Sequence, residues 1–323
     1  MLTNIADLDL TAKMYYYMSL TRAFDQKAIN LQRTGRLGTF PSSFGQEGLF
    51  VGLGLAMDRN DTLCPYYRDQ GTLIVRGAKL SRIFCYWGGM ELGNDLCLET
   101  DDMPFAVPIA SQTTYACGLA YAAKIRNQKK VIFCTLGDGA SSKGDFYEAM
   151  NMAKLHQLAI IFIINNNGYA ISTPIAEQTA NLNLKDKGLG FGIPGYDLDG
   201  SNIHEVHATI RALRQQCLKE GPLLCVAKTF RMHDHTTADD AKKYLDPNYL
   251  ELGLSADPIN HISKLLPASR QKQLTELAKA TVADAAQEYL STIDHELPFA
   301  HVFQNMPPCL VAQKQSWELE HEV

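Results

Sequence analysis

The sequence has no long run of lysine or arginine and carries a formal net charge of −5, so it lacks the basic stripe that nucleic-acid recognition relies on. It has no cysteine pair at CxxC spacing. Its eight cysteines are scattered, which argues against a zinc cage or a disulfide framework and leaves buried free thiols in a reducing compartment as the expectation. No apolar stretch approaches the ~20 residues that cross a bilayer. The longest, Leu158 to Ile164, fits a buried strand. Met1 to Leu10 carries Asp7 and Asp9 and lacks the basic-then-apolar layout of a secretory signal, so a cytoplasmic protein is expected, with no membrane or nucleic-acid partner. Internal repeats, low-complexity tracts and a convincing linker are absent as well. Small molecules and other proteins remain as the partners to look for.

What is present is an ordinary globular composition: 323 residues, 46% of them hydrophobic. Segments of helical periodicity alternate with short β-branched runs, which predicts an α/β fold with a parallel sheet flanked by helices. Helices are expected over Leu10 to Gln32, Gln112 to Lys124, the stretch holding Phe146, Ala149, Met150 and Ala153, and Ile203 to Cys217. Strands are expected at Val131 to Leu136, Ala159 to Ile164 and Leu223 to Ala227. Gly35 to Phe44 reads as a connection. Pro267 to Leu290 reads as an amphipathic helix packed on the domain or on a partner. The expected organisation is one domain over residues 1–323, with 258–323 as a helical C-terminal extension.

Between Val131 and Asn167 the order strand, turn, helix, strand forms a βαβ unit, and ligands in such sheets bind at the strand carboxyl ends. The first strand ends in Gly137-Asp138-Gly139, the second in Asn165-Asn166-Asn167. Alone, the first tripeptide is an ordinary turn. Together they offer what magnesium takes from a protein: a carboxylate from Asp138, an amide oxygen from Asn167 and a backbone carbonyl from the turn at Gly168-Tyr169. Backbone N–H groups near Gly139 and Ala140, at the start of the following helix, would bind phosphate oxygens. Three consecutive amides after an apolar strand are costly to bury without ligands or hydrogen bonds.

The run Gly137 to Ala149, followed by Asn166-Asn167-Gly168-Tyr169-Ala170-Ile171-Ser172-Thr173-Pro174, closely resembles the thiamine diphosphate motif of pyruvate and branched-chain 2-oxo acid dehydrogenase E1 α subunits. Gly45-Gln46-Glu47, Tyr67-Arg68-Asp69, Pro108 to Gln112, and Phe230-Arg231 through His235 to Asp240 resemble further landmarks in family order. The resemblance covers about Met14 to Pro308. It implies a thiamine-diphosphate-binding fold with thiamine diphosphate and Mg2+ as cofactors, and Asp138, Asn167 and the Tyr169 carbonyl as metal ligands. Gly139 and Ala140 would meet the diphosphate through the backbone, and Tyr67 and Arg68 would bind its oxygens, a task that suits the planar arginine fork. Val107 and Ile109 match positions whose backbone meets the aminopyrimidine ring. In the polar loop after Phe230, His235 matches the family's active-site histidine better than His233. An imidazole there can donate to a developing oxyanion or assist acyl transfer.

The implied reaction is oxidative decarboxylation of a small 2-oxo acid, pyruvate slightly ahead of others, with acyl transfer to a lipoyl-bearing E2 component. A branched-chain 2-oxo acid or acetoin dehydrogenase would use the same machinery. A split transketolase-like subunit is a more distant reading, and a non-catalytic α-like assembly subunit belongs to another class. In the family, the glutamate that meets the aminopyrimidine comes from the β subunit. An α2β2 heterotetramer is therefore implied, with this chain inactive alone.

Overall fold

The computed structural model describes residues 5–90, 93–94, 100–292, 299 and 303–320. Its helices are α1 (Leu10–Arg33), α2 (Glu47–Ala56), α3 (Gln70–Val75), α4 (Leu80–Trp87), α5 (Ser111–Ile125), α6 (Gly144–Leu155), α7 (Ile175–Gln178), α8 (Ile203–Glu220), α9 (Pro247–Ser255), α10 (Pro258–Ser263), α11 (Ala268–Ser291) and α12 (Pro308–Glu320). The strands are β1 (Thr62–Cys64), β2 (Ile132–Gly137), β3 (Ile160–Asn166), β4 (Tyr169–Ala170), β5 (Thr173–Pro174), β6 (Gly195–Asp199) and β7 (Leu223–Lys228). Five of them form one parallel sheet in the order β1-β2-β3-β7-β6, while β4 and β5 make a small antiparallel hairpin.

Alternation along the strands explains the layers. Phe133, Ile161 and Ile163 belong to a core on one face of the sheet, shared with α1, α2, α8 and α11. Their neighbours Ile132, Cys134, Ile160, Phe162 and Ile164 belong to a second core on the other face, with Ala116 and Ala120 of α5 and Phe146, Ala149 and Met150 of α6. Because both faces are covered, β2 and β3 read as mainly apolar runs rather than alternating ones, broken within β2 only by Thr135 and at the end of β3 by Asn165 and Asn166.

Local chemistry sets the ends of the elements. Asp9 caps α1, its carboxylate accepting from the Ala12 N–H at 2.9 Å. Leu274, Ala278, Val282, Ala285, Ala286 and Tyr289 make one buried stripe along α11. That stripe packs on α1, where the Tyr15 and Thr275 hydroxyls stand 3.0 Å apart. The Tyr289 hydroxyl donates to the Arg36 carbonyl at 2.6 Å, so α11 also fastens the turn that follows α1. No helix among the described residues is long and apolar enough to cross a membrane.

Four sequence expectations change here. β1 and the edge strand β6 join the sheet although neither was expected. β3 runs on to Asn166, so Asn165 and Asn166 are strand residues rather than a segment beyond it. Gly139 and Ala140 occupy a short 3-10 turn, Gly139–Ser142, and the α-helix begins only at Gly144, because Asp138 caps that turn and Lys143 is extended. Six of the described cysteines are buried free thiols, but Cys309 is exposed.

Candidate active site

β2 and β3 pair in register to their ends, with Gly137 beside Asn165. The residues after each strand therefore emerge together at one edge of the sheet, where parallel α/β folds keep their ligands. A cavity of about 230 Å³ opens there, lined by Tyr67, Arg68, Ile109, Asp138, Gly139, Ala140, Asn167, Tyr169 and His235 among others. These are the residues expected from the sequence, with one exception. Val107 is 48% exposed and does not line the cavity.

Asp138 is the first residue past β2 and is 2% exposed. One carboxylate oxygen accepts from the Gly139 N–H at 3.0 Å, while Oδ2 is buried with no partner. Burial pushes the Asp138 carboxyl up to about 6, against the Gly139 N–H and the Arg231 charge, which pull it down. An unsatisfied buried polar atom costs roughly 1–3 kcal/mol, so Oδ2 is where a ligand would repair the structure. The neighbouring glycine is sterically required: a Cβ on Gly139 would stand 2.8 Å from the Ala170 Cβ in the β4–β5 hairpin.

At the end of β3, Gly168 turns the chain with φ of +81°. The Asn167 side-chain oxygen accepts from the Tyr169 N–H at 3.2 Å, and its backbone carbonyl accepts from the Tyr249 hydroxyl at 2.8 Å. The donor set of one carboxylate, one amide oxygen and one carbonyl suits a hard cation that completes its shell with phosphate and water. Among the described residues no group of three or more His, Cys, Asp or Glu could hold a metal.

Two buried arginines face this acid. Arg68, between β1 and α3, donates to the Ser42 carbonyl and, at 3.0 Å, to the His235 carbonyl. Arg231 donates to the Ile171 carbonyl at 2.8 Å and to the Tyr244 hydroxyl at 2.8 Å, and its Nε is buried with no partner. Burial first, and the Arg68 charge second, lower the Arg231 guanidinium from its ordinary value. Of the two, Arg68 lines the cavity and Arg231 does not.

His235 sits between them. Its Nδ1 is 3.2 Å from Arg68 Nη2 and 3.2 Å from Arg231 Nη1. Guanidinium only donates, so Nδ1 is the acceptor and the single imidazole proton resides on Nε2. Burial, then the two arginines, lower this imidazole to about 3, although Asp239 opposes the shift. His235 is thus a neutral hydrogen-bond donor across the physiological range. Asp239 fastens the loop by accepting from the His235 N–H at 2.8 Å. His233 lies outside the cavity, its ring packed edge-on against Phe44.

Backbone strain gathers at the same place. Ala110 and Ile171 both line the cavity and both have positive φ, 62° and 57°. For a β-branched residue such a φ is a genuine outlier, and strain of this kind clusters where ligands are clamped.

A family model described as dehydrogenase E1 component matches residues 15–297. The chain belongs to this family. It is 31% identical over 310 residues to a pyruvate dehydrogenase E1 component subunit alpha of Mycoplasma genitalium, covering 93% of this chain and 87% of that one. It is also 32% identical over 321 residues to a 3-methyl-2-oxobutanoate dehydrogenase subunit alpha of Mycobacterium tuberculosis, covering 95% and 86%. A Staphylococcus aureus pyruvate dehydrogenase E1 component subunit alpha is 32% identical over 311 residues, covering 93% and 84%. Pyruvate and branched-chain relatives stand at nearly the same distance.

Several residues of the site were not singled out from the sequence. Arg231 was only a landmark, yet it pairs with Arg68 around His235. Gln112 lines the cavity, donates to the Thr135 carbonyl at 2.6 Å and keeps its Oε1 buried without a partner. Asn165 hydrogen-bonds Gln46 and Tyr66, each at 2.7 Å. The cost of burying three amides was the one sequence signal that pointed to this last set.

Proposed function

We propose that this chain is the α subunit of a thiamine-diphosphate-dependent 2-oxo acid dehydrogenase E1 component, and that its cavity holds the magnesium diphosphate half of the cofactor. The observation that carries this is the placement of Asp138 and Asn167 at the ends of two adjacent strands, lining one cavity with Arg68 and His235, while Arg231 holds His235 from outside the lining. The residues present fit the group. Asp138 Oδ2, at the cavity wall, lacks a partner, and Gly139 leaves no room for a side chain beside Ala170.

In this reading Asp138, the Asn167 side chain and the Tyr169 carbonyl hold Mg2+. Arg68 and Tyr67 bind diphosphate oxygens, with the backbone of Gly139 and Ala140 alongside. Ile109 and Val107 meet the aminopyrimidine through the backbone. Thiamine diphosphate, when bound, supplies the electron sink for loss of carbon dioxide. His235 keeps its proton on Nε2 and donates it toward the oxygen of the reacting 2-oxo group, which gains negative charge as the reaction proceeds. The two arginines keep the imidazole neutral and fix its tautomer.

The cavity of about 230 Å³ is below the roughly 300–1,000 Å³ usual for a complete small-molecule site, which supports a site finished by a second chain. A β subunit in an α2β2 heterotetramer would supply that half, and a lipoyl-bearing E2 would take the acyl group. We read residues 1–323 as one thiamine-diphosphate-binding domain of a cytoplasmic enzyme, with pyruvate as substrate ahead of branched-chain 2-oxo acids. The test is calorimetric binding of thiamine diphosphate to the α–β pair with and without Mg2+. Asp138→Ala should weaken Mg2+-dependent binding by more than about 100-fold, the upper end of losses for changes outside the first ligand shell. Unaltered binding in that variant would refute the assignment.

A further inference from the structure

Beneath the cavity, buried amides connect the strand ends to Gln46, 121 residues before Asn167. The orientation of each amide follows from its neighbour. The Tyr169 N–H can only donate, so the Asn167 oxygen must lie on that side, at 3.2 Å. Its nitrogen then points to Gln46 Oε1, also at 3.2 Å. The same Gln46 oxygen accepts from Asn165 Nδ2 at 2.7 Å, which leaves the Asn165 oxygen for the Thr229 hydroxyl, at 2.5 Å. Gln46, Asn165 and Asn167 are all buried, so no water replaces a lost partner. Gly45 sets the approach of Gln46: its φ is +89°, and a Cβ there would stand 2.5 Å from the Phe230 carbonyl.

We propose that Gln46 is the positioning residue of metal diphosphate capture, holding the Asn167 amide with its oxygen rather than its nitrogen turned toward the metal. Among the described residues, Gln46 Oε1 is the acceptor for Asn167 Nδ2. Without that acceptor the buried nitrogen loses its bond, and the reason for the amide to keep one orientation weakens. This inference rests on the thiamine diphosphate reading above.

The test is calorimetric titration of Mg2+ into the full-length chain with its β partner at saturating thiamine diphosphate, with the melting midpoint of the apo complex as a second readout. Gln46→Met fills the same space without an acceptor and should weaken Mg2+ by about 10-fold or more, within the range for loss of an orienting partner. Gln46→Glu keeps an oxygen for both amides and should stay within about 3-fold of wild type. The decisive arm is Asn167→Asp, whose carboxylate presents oxygen in either orientation. In that background Gln46→Met should cost under about 3-fold, because there is no amide left to orient. The proposal is overturned by wild-type Mg2+ affinity in Gln46→Met, by equal losses in both backgrounds, or by a loss in Gln46→Glu as large as that in Gln46→Met. Absence of any Mg2+-dependent thiamine diphosphate binding by the wild-type pair would sink the functional reading itself, a distinguishable failure.

Discussion

β3 contains two regions that are equally buried and held in opposite ways. From Ile160 to Ile164 every side chain is apolar and packs into one of two cores, whereas Asn165 at the carboxyl end is polar and held by individual hydrogen bonds. β2 makes a similar change less sharply, passing from Ile132, Phe133 and Cys134 through the hydrogen-bonded Thr135, then Leu136, to Gly137 and Asp138. Burial without direction makes the first region stable, and directed partners make the second specific. At that polar end Asp138 Oδ2 is buried without a partner, a cost the apolar region does not carry.

Variants at the two ends should therefore fail differently. The largest effect is expected at the polar end. His235→Ala should lower kcat of the reconstituted enzyme by roughly 10²–10³-fold, the usual range for loss of a hydrogen-bond donor to a developing oxyanion, with little change in thiamine diphosphate affinity. Steady-state kinetics alongside calorimetry separates the two, and a loss confined to cofactor affinity would remove His235 from the reaction. At the apolar end, Phe162 is fully buried and packs edge-on against Phe146, so Phe162→Ala should cost about 3–5 kcal/mol in chemical denaturation. The folded fraction should still bind cofactor. If binding by that fraction collapsed as well, the separation between the two regions would be wrong.

The smallest expected effect lies at the boundary between them. Asp69 adjoins Arg68 and is fully buried, accepting from the Thr135 hydroxyl and from the Tyr66 N–H at 3.0 Å. Burial nevertheless pushes its carboxyl up to about 8. The folded value lies above the unfolded one, so this contribution is fully present below about pH 4 and is lost as pH rises through about 8. Asp69→Asn keeps an accepting oxygen but cannot ionise. Its stability should fall less between pH 5 and pH 9 than that of wild type. Parallel stability curves for the two proteins would contradict the burial argument.

The same contrast explains what the sequence made legible. β2, β3 and β7 announce themselves because strands covered on both faces are mainly apolar. β1 has only three residues, and β6 reads Gly-Tyr-Asp-Leu-Asp at a sheet edge, so neither carries such a run. Asp138 and Asn167 were legible because each directly follows a recognisable strand, whereas His235, seven residues past β7, was picked out only through the family resemblance. The Gln46–Asn165 bond spans 119 residues, and the convergence of Arg68 and Arg231 on His235 is created by folding, so no local pattern could announce either.

The central claim is that this chain carries one half of a shared active site. It is tested most directly by measuring carbon dioxide release from pyruvate and from 2-oxoisovalerate, with thiamine diphosphate and Mg2+, by this chain alone, by its β partner alone and by the reconstituted pair. Turnover by the pair only, faster on pyruvate, is the expected result. Turnover by this chain alone would contradict it.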